Sequence, residues 1–311
     1  SVQKQNLNSD QVSGIDGMVR WNDRVNDFNY FVGVNLTLAR QKTINNYGEV
    51  FLNGWDQYRW AQTNRWSNVK NGAVWMWETI GVFQTQEEID NYPVNIDGAN
   101  NVNLRPGDLI FKDVNGDGLI DDYDKRPLGY AATDYDWDSG NANKNPLLSM
   151  GINLGFEYKG IDFAADFAGG FMNTFIGDWH VKYGIGTDQM GYVYNVIDSW
   201  QHEDIFDTKS PWKRGKFPAV RSNNPSIRDW NDFYAKEINY LRLRNLVVGY
   251  TLPIKWTKKA LIQKLRVYFE GSNLLCWDSL NDFGFDPEIS SVTGFDYPQH
   301  KVYTVGVNVT F

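Results

Sequence analysis

The chain has 311 residues, of which 42% are hydrophobic and 15% are aromatic, and its formal net charge at pH 7 is −8. The negative charge, without any basic cluster, argues against a protein that binds duplex nucleic acid. Cys276 is the single cysteine, which excludes an internal disulfide bond and a thiolate metal cluster. No apolar run approaches the roughly 18 residues of a membrane-spanning helix. Hydropathy does not test for a transmembrane β-barrel, because its lumen and loops are polar.

Apolar and polar residues alternate in several stretches, and a period of two residues predicts β-strands. In "LLSMGINLGFEY" every second residue is apolar, and the turn residues Lys159 and Gly160 predict a hairpin with the next stretch. The phase of the alternation shifts near Asn245, where we expect a β-bulge. The pattern predicts seven strands, at about 13–24, 29–42, 147–158, 161–172, 237–250, 265–275 and 301–311.

The connections between these strands are alternately short and long. The long ones span about 43–146, 173–235 and 278–300, and they are rich in aromatic residues. Short turns on one side and long loops on the other are typical of a transmembrane antiparallel β-barrel, and ten residues suffice for a tilted strand to cross a bilayer. An odd count of seven implies an incomplete barrel. A soluble β-sandwich or jelly roll also alternates and is the alternative fold.

Several blocks of the sequence carry a family resemblance. They are "WMWETIGVFQTQEEIDNYP", "LRPGDLIFKDVNGDGLIDDYDKRPLGY", "YLRLRNLVVGYTLP", "FEGSNLLCW" and the final "YPQHKVYTVGVNVTF". In this order, and over about residues 10 to 311, the chain closely resembles SusC/RagA-type TonB-dependent outer-membrane transporters of Bacteroidetes.

The resemblance implies the C-terminal portion, residues 1–311, of an all-β transmembrane barrel of about 22 strands in the Gram-negative outer membrane. Such transporters import oligosaccharides or peptides, draw energy from TonB, and work with a SusD-like surface lipoprotein that closes over the barrel as a lid. The chain shows no signal peptide, TonB-contacting segment or plug domain. We therefore expect either a fragment or one piece of a split transporter.

An acidic loop at 113–124 follows the spacing of the calcium-binding EF-hand loop. Oxygen ligands are expected at loop positions 1, 3, 5, 7, 9 and 12, and Gly118 at position 6 permits a sharp turn. The corresponding residues are Asp113, Asn115, Asp117, Leu119 (through its carbonyl), Asp121 and Asp124. Position 12 is Asp where Glu is usual. The sequence predicts a structural Ca²⁺ site, and the alternative is a hydrated acidic turn.

Tryptophans are frequent in the two longer connections, and aromatic faces stack on sugar rings. The candidate substrate-binding residues are Trp55, Trp60, Trp66, Trp212 and Trp230. The alternative is that these side chains pack loops against each other or against the lid protein. Trp21 and Tyr158, near strand ends, are expected in the interfacial belt of the barrel.

The last strand has alternating apolar residues and ends in an aromatic residue, a pattern that the barrel-assembly machinery reads in outer-membrane proteins. The residues of this expected assembly signal are Tyr303, Val305, Val307, Val309 and Phe311. We expect lipid-facing residues at Leu148, Ile152, Phe163, Val305 and Val309 and lumen-facing residues at Asn153, Asp162, Asp166 and Asn308.

The sequence contains no motif for covalent chemistry. The His residues match no metal-ligand spacing, no pair of carboxylates is singled out, and G-x-S-x-G, P-loop and H-E-x-x-H patterns are missing. The chain is therefore predicted not to be an enzyme. The competing interpretations are a secreted calcium-dependent glycan-binding protein and, third, a glycoside hydrolase.

Overall fold

A computed structural model describes residues 9–45, 54–55, 57–58, 73–130, 146–176, 198–219, 221, 224–227, 231–280, 286–288 and 299–311. The strands within these ranges are β1 (Ser9–Val25), β2 (Phe28–Asn45), β3 (Ala73–Met76), β4 (Thr79–Val82), β5 (Leu109–Phe111), β6 (Arg126–Tyr130), β7 (Leu148–Tyr158), β8 (Ile161–Ile176), β9 (Gln201–His202), β10 (Trp212–Lys213), β11 (Ala235–Thr251), β12 (Lys264–Asp278) and β13 (Val302–Thr310). Two α-helices lie wholly within these ranges, α1 (Gln86–Asp90) and α2 (Ile254–Thr257), and residues 54–55 and 57–58 are also helical. No helix within these ranges is long and apolar enough to cross a membrane.

Seven strands form the main sheet, in the order β1-β2-β7-β8-β11-β12-β13. All six neighbouring pairs are antiparallel. Each sheet strand therefore lies beside the sheet strands that precede and follow it in the chain, which is an up-and-down arrangement. The predicted all-β class and the count of seven strands are confirmed.

Most of the long strands extend beyond the stretches predicted from alternation. The hairpin of β1 and β2 continues to the pairing of Ser9 with Asn45, and β8 continues to Ile176. The alternation weakens in these extensions, where polar residues follow one another, so period alone does not locate the ends. These strands are extended by backbone pairing with the neighbouring strand.

The register of the sheet places apolar residues on one face, which we call the apolar face. One of its rows runs across six strands, through Tyr30, Phe156, Phe163, Val248, Phe269 and Val305. The adjacent row belongs to the opposite face, which we call the polar face. That row runs through Asn29, Glu157, Asp162, Gly249, Tyr268 and Gly306. Because side chains of successive residues point to opposite faces of a sheet, the alternation makes one face mainly apolar and the other mainly polar.

A bulge interrupts β11 where the sequence predicts it. The register shifts between Leu243 and Asn245 against both neighbours, β8 and β12. The bulge keeps Leu241 and Leu243 on the same face as Leu246, although the sequence phase changes between them. The predicted bulge is confirmed.

The first two long connections contain folded structure of their own, which alternation does not predict. In residues 73–130, β3 pairs with β6 and β4 pairs with β5, and α1 is capped by Thr85, whose side chain accepts a hydrogen bond from the Glu88 N–H. In the second connection β9 and β10 form a small hairpin. The strands here are too short for a period-two signal to emerge.

A hydrophobic core lies among these connections. It includes the buried side chains of Trp77, Phe83, Ile89, Ile96, Leu104, Leu109, Ile110, Phe111, Ile120, Phe217, Tyr234, Ile238 and Leu280. We call the unit formed by the described residues within 73–126 and 198–234 the loop body. The main sheet, in contrast, leaves many apolar side chains exposed, such as Val19 and Val305 at 75% each.

Candidate functional site

The polar face of the sheet carries paired charges. The Arg266 guanidinium on β12 donates to the Asp162 carboxylate on β8, with Nε–Oδ1 and Nη2–Oδ2 distances of 2.9 and 2.5 Å. The pair crosses the intervening strand β11 directly above Gly249. A Cβ atom at this glycine would lie 2.5 Å from both carboxylate oxygens and 2.6 Å from Arg266 Nε. Glycine is needed here because the charged pair occupies the space of a side chain.

Other polar residues predicted to share this face also form cross-strand contacts. Asn153 Nδ2 donates to Asp166 Oδ1 at 2.7 Å, and Asn308 lies opposite Arg266 in the register. Near the short turns this face borders a concavity of about 770 Å³, lined in part by Arg24 and Glu157. The polar face is thus a hydrogen-bonded, charged wall beside open space.

A second group of charges ties the third long connection to β11. Arg242, 4% exposed, contacts the Asp286 carboxylate at 2.6 and 2.7 Å and Glu288 Oε2 at 2.6 Å. Arg244 Nη2 contacts Glu288 Oε1 at 2.5 Å. Sequence reasoning missed this group. The signal was available in "YLRLRN", where two arginines alternate with leucines and so lie away from the apolar face.

Inside the loop body, a buried ion pair joins the first two long connections. Asp108 is fully buried, and the Arg221 guanidinium reaches its two oxygens at 2.9 and 2.5 Å. Burial raises the pKa of the Asp108 carboxyl, and the Arg221 charge opposes that shift. Burial also raises the pKa of Tyr234, to which the nearby Asp108 charge contributes.

Further contacts between the same two connections surround this pair. The Ser226 hydroxyl accepts from the Leu109 N–H at 2.8 Å, and Asp232 Oδ1 accepts from the Thr79 N–H at 2.8 Å. Trp77 and Asn231 form an isolated β-bridge. The two connections therefore fold as one unit.

The acidic loop is organised by Asx turns. Asp113 accepts from the N–H groups of Gly116 at 2.6 Å and Gly118 at 2.8 Å, and Asp117 Oδ1 accepts from the Leu119 N–H at 2.8 Å. Asn115 Nδ2 donates to Asp117 Oδ2 at 2.9 Å, so these two predicted ligands are in contact. The left-handed φ of +82° at Gly118 provides the expected sharp turn.

Asp124 closes the loop from its far end. Its carboxylate is fully buried and accepts from the N–H groups of Val114 at 2.8 Å and Asp121 at 2.9 Å. Among the described residues, no three His, Cys, Asp or Glu side chains form a group that could hold a metal ion. In this structure the carboxylates of the loop accept hydrogen bonds from backbone N–H groups. The prediction of calcium stays a prediction.

Two of the five candidate tryptophans lie in the described residues. Trp55 stacks on Tyr58 with ring centroids 5.4 Å apart and contacts Tyr123 of the acidic loop at 5.3 Å. Trp212 is half-buried in the small hairpin, its ring 4.0 Å from that of His202. Trp60, Trp66 and Trp230 lie outside the described residues. The structure thus brings Trp55 to the acidic loop, a proximity that sequence spacing does not indicate.

Four residues of the expected assembly signal lie on the apolar face of β13, and the fifth, Phe311, follows the strand. Tyr303, Val305 and Val307 are 65%, 75% and 57% exposed, and Phe311 is 78% exposed. Val309 is opposite Leu265 in the register. One edge of β13 has no strand partner among the described residues.

The sheet is up-and-down, with one apolar and one polar face, and it has short turns at one end and large folded connections at the other. This is the architecture of the wall of a transmembrane β-barrel. The chain is similar to TonB-dependent receptors. It is 26% identical over 261 residues to TonB-dependent receptor P3 of Formosa agariphila and 26% identical over 249 residues to receptor P26 of the same organism. These matches cover 77% and 75% of the chain and 22% of each receptor. The chain therefore spans about a fifth of the length of the curated relatives it matches.

Solved structures show the same fold. The RagAB peptide transporter matches with a TM-score of 0.57, and the RagAB peptide importer in its "closed-closed" state matches with 0.59. Each is 20% identical, and each match covers 99% of this chain and 30% of the other. No protein-family model matches the chain. The predicted resemblance is confirmed, and because the relatives are receptors and transporters, so is the prediction that the chain is not an enzyme.

Proposed function

We propose that the chain forms part of the barrel wall of a TonB-energised importer in the Gram-negative outer membrane. The importer takes up oligosaccharides or peptides and works with a SusD-like surface lipoprotein as its lid. The observation that carries this proposal is the apolar face of the seven-stranded sheet, because an exposed apolar face of this size needs an apolar cover, and lipid covers the outer face of a transmembrane barrel. The similarity to TonB-dependent receptors and to a peptide importer supports it.

The two edges of the sheet support a larger barrel. β1 and β13 each pair with one strand among the described residues, which leaves a row of backbone groups on the other edge. Open edges do not occur in the hydrocarbon region of a membrane, because each unpaired N–H or C=O group costs several kcal/mol. The remainder of the transporter, which also includes the plug, would supply the missing barrel strands.

Two adjacent residues of β13 test the membrane proposal. Val305 lies on the apolar face and Thr304 on the polar face, and both are exposed. In the full transporter, Val305→Lys would place a charge in lipid at a cost of about 2–4 kcal/mol near the midplane, whereas Thr304→Lys would face the aqueous lumen. We expect the first variant to reduce the amount of folded transporter in outer-membrane fractions and the second to leave it unchanged.

Equal behaviour of the two lysine variants would contradict a lipid-facing apolar face. Recovery of the wild-type protein in the soluble fraction without detergent would also contradict it. That second result would favour the secreted glycan-binding alternative.

The five candidate tryptophans are proposed as substrate contacts. Within the described residues, the enclosed indole N–H of Trp55 has no hydrogen-bond partner, and its ring lies in an aromatic cluster with Tyr123, which is 49% exposed. A sugar hydroxyl or a peptide carbonyl would satisfy that donor. Uptake by Trp55→Phe transporter at wild-type rates would argue against this role.

The acidic loop is proposed to bind Ca²⁺ in a structural role. Asp113, Asn115 and Asp117 already occupy neighbouring positions held by Asx turns, and oxygen ligands of this kind suit calcium. We expect calorimetry on the transporter to detect calcium binding that Asp117→Asn weakens. Asp90→Asn, at an exposed carboxyl outside the loop, serves as the control. Absence of binding at millimolar calcium would leave the loop as a hydrogen-bonded acidic turn.

The apolar face of β13 with Phe311 is proposed as the signal for barrel assembly. The support is its exposed row of alternating apolar side chains ending in an aromatic residue. Deletion of Phe311 with no change in the amount of transporter in the outer membrane would argue against it.

A further inference from the structure

The connection between β11 and β12, residues 252–263, differs from the other turns at its end of the sheet. The neighbouring hairpins use two-residue turns at 26–27 and 159–160. Here the chain instead forms α2, followed by a short 3₁₀ turn at Lys258–Ala260. Adjacent antiparallel strands do not need so long a connection, so its extra residues serve another purpose.

The connection presents apolar side chains to the exterior. Ile254 is 59% exposed, Trp256 is 66% exposed and Leu261 is 82% exposed. These side chains are displayed from ordered backbone, because the Gln263 N–H donates to Thr310 O at 2.8 Å and the Leu252 N–H donates to Leu265 O at 2.9 Å. A fixed group of large apolar side chains left in water indicates a contact surface.

The same connection is strongly basic. Lys255, Lys258 and Lys259 are exposed within it, Lys264 follows it, and no Asp or Glu occurs from Tyr250 to Arg266. This concentration of positive charge belongs to a chain whose net charge is −8. Its ligand is therefore expected to be anionic.

The position of the connection indicates which anionic surface it meets. A row of the apolar face near this end of the sheet includes Tyr158, Ile161, Tyr250, Val267 and Val307. Tyr250 comes directly before the end of β11. Apolar residues, a tryptophan and lysines at the end of a lipid-facing strand form the arrangement that places rings at the headgroup level and ammonium groups on phosphates.

We infer that residues 252–263 form a binding site for anionic phospholipid in the membrane leaflet at the short-turn end of the barrel. Ile254, Trp256 and Leu261 insert between acyl chains at the interface. Lys255, Lys258 and Lys259 contact the headgroup phosphates. This inference rests on the proposed membrane function, and it adds a ligand class and a position to it.

For the test, the full transporter is reconstituted in nanodiscs and then extracted with detergent. Native mass spectrometry measures the lipid that stays bound to it. Phosphatidylglycerol is the probe, and phosphatidylcholine is the uncharged comparison. We expect the variant Lys255→Gln/Lys258→Gln/Lys259→Gln to lose phosphatidylglycerol affinity by about fivefold per lysine, on the order of a hundredfold in all. Inorganic phosphate at millimolar concentration should not displace the lipid, because it lacks acyl chains.

Two matched variants separate this effect from general loss of charge or structure. Lys209→Gln/Lys213→Gln/Lys301→Gln removes three exposed lysines elsewhere and should retain phosphatidylglycerol. The triple Lys→Arg variant of the connection should retain it as well. Trp256→Ala should reduce retention of both lipids, because it removes the apolar contact.

Equal retention of phosphatidylglycerol by the wild type and the triple Gln variant, with both transporters folded in the membrane, would overturn the inference. An equal loss in the control triple variant would overturn it too. Either result leaves the proposed transport function intact, because that function is tested separately, by the location of the wild-type protein and by the Val305→Lys and Thr304→Lys variants. Binding of the connection to an acidic soluble protein, without binding to the lipid, would also contradict the proposal.

Discussion

Gly249 lies where the Asp162–Arg266 ion pair crosses β11, and a side chain there would collide with the pair. We predict that Gly249→Val separates the two charged groups and destabilises the folded barrel, with a cost for overpacking on the order of 1–3 kcal/mol. The measurement is the heat needed to convert the folded barrel to the slower-migrating unfolded form on a gel.

Gly17→Val is the matched control for this prediction. Gly17 is also in a long strand of the sheet, and an added Cβ atom there meets no atom within 4 Å. An equal loss of heat resistance in the two variants would show that the ion pair is not the reason for glycine at 249.

At the scale of the side chain, sequence reasoning separates charged residues from apolar ones but does not pair them. Alternation predicts that Asp162 lies on the face opposite Phe163. It does not predict that Asp162 bonds to Arg266, more than a hundred residues later, because that contact depends on the order and register of the strands. Alternation likewise places Arg242 on the polar face but does not show that it contacts Asp286 in the third long connection.

The first two long connections act as one structural element, joined through the buried pair of Asp108 and Arg221. We predict that Arg221→Ala destabilises the loop body by about 3–5 kcal/mol, because it leaves the buried carboxylate without its partner. Hydrogen exchange in residues 79–111 should become faster in this variant.

The defect of Arg221→Ala should shrink as the pH falls. The pKa of Asp108 is already raised by burial, and loss of the arginine raises it further. A carboxyl with a raised pKa in the folded state stabilises that state when it is protonated, and it costs stability as the pH rises through that pKa. In Asp108→Asn/Arg221→Ala this pH dependence should disappear, and its persistence would contradict the assignment to Asp108.

Among the elements, the long strands were predictable because each shows a period of two over about nine residues or more. The β11 bulge was predictable because the phase of that period shifts near Asn245. The folded character of the long connections was not predictable in this way. β4 and β5 contain four and three residues, and their stability comes from a core that combines distant parts of the chain, such as Leu109, Phe217 and Leu280. The acidic loop is intermediate: the sharp turn predicted at Gly118 is observed, whereas the calcium predicted from the same spacing stays a prediction.

For the molecule as a whole, the two-faced sheet could be predicted from the sequence alone, because a period of two fixes the face of each residue in a strand up to the next bulge. The placement of the chain within a larger barrel rests on the family resemblance and on the two edges that lack partners among the described residues. Substrate and lid remain proposals, since the chain spans about a fifth of its curated relatives.

The shared core of the loop body has a consequence for the order of folding. Leu109 and Ser226, which are joined by a hydrogen bond, are separated by 117 residues, and β7 and β8 lie between them in the chain. The core can therefore close only after this intervening hairpin has been synthesised. Replacing one of these connections with that of a related transporter would supply only half of the hydrophobic core. A functional chimera therefore has to contain both connections from the same transporter.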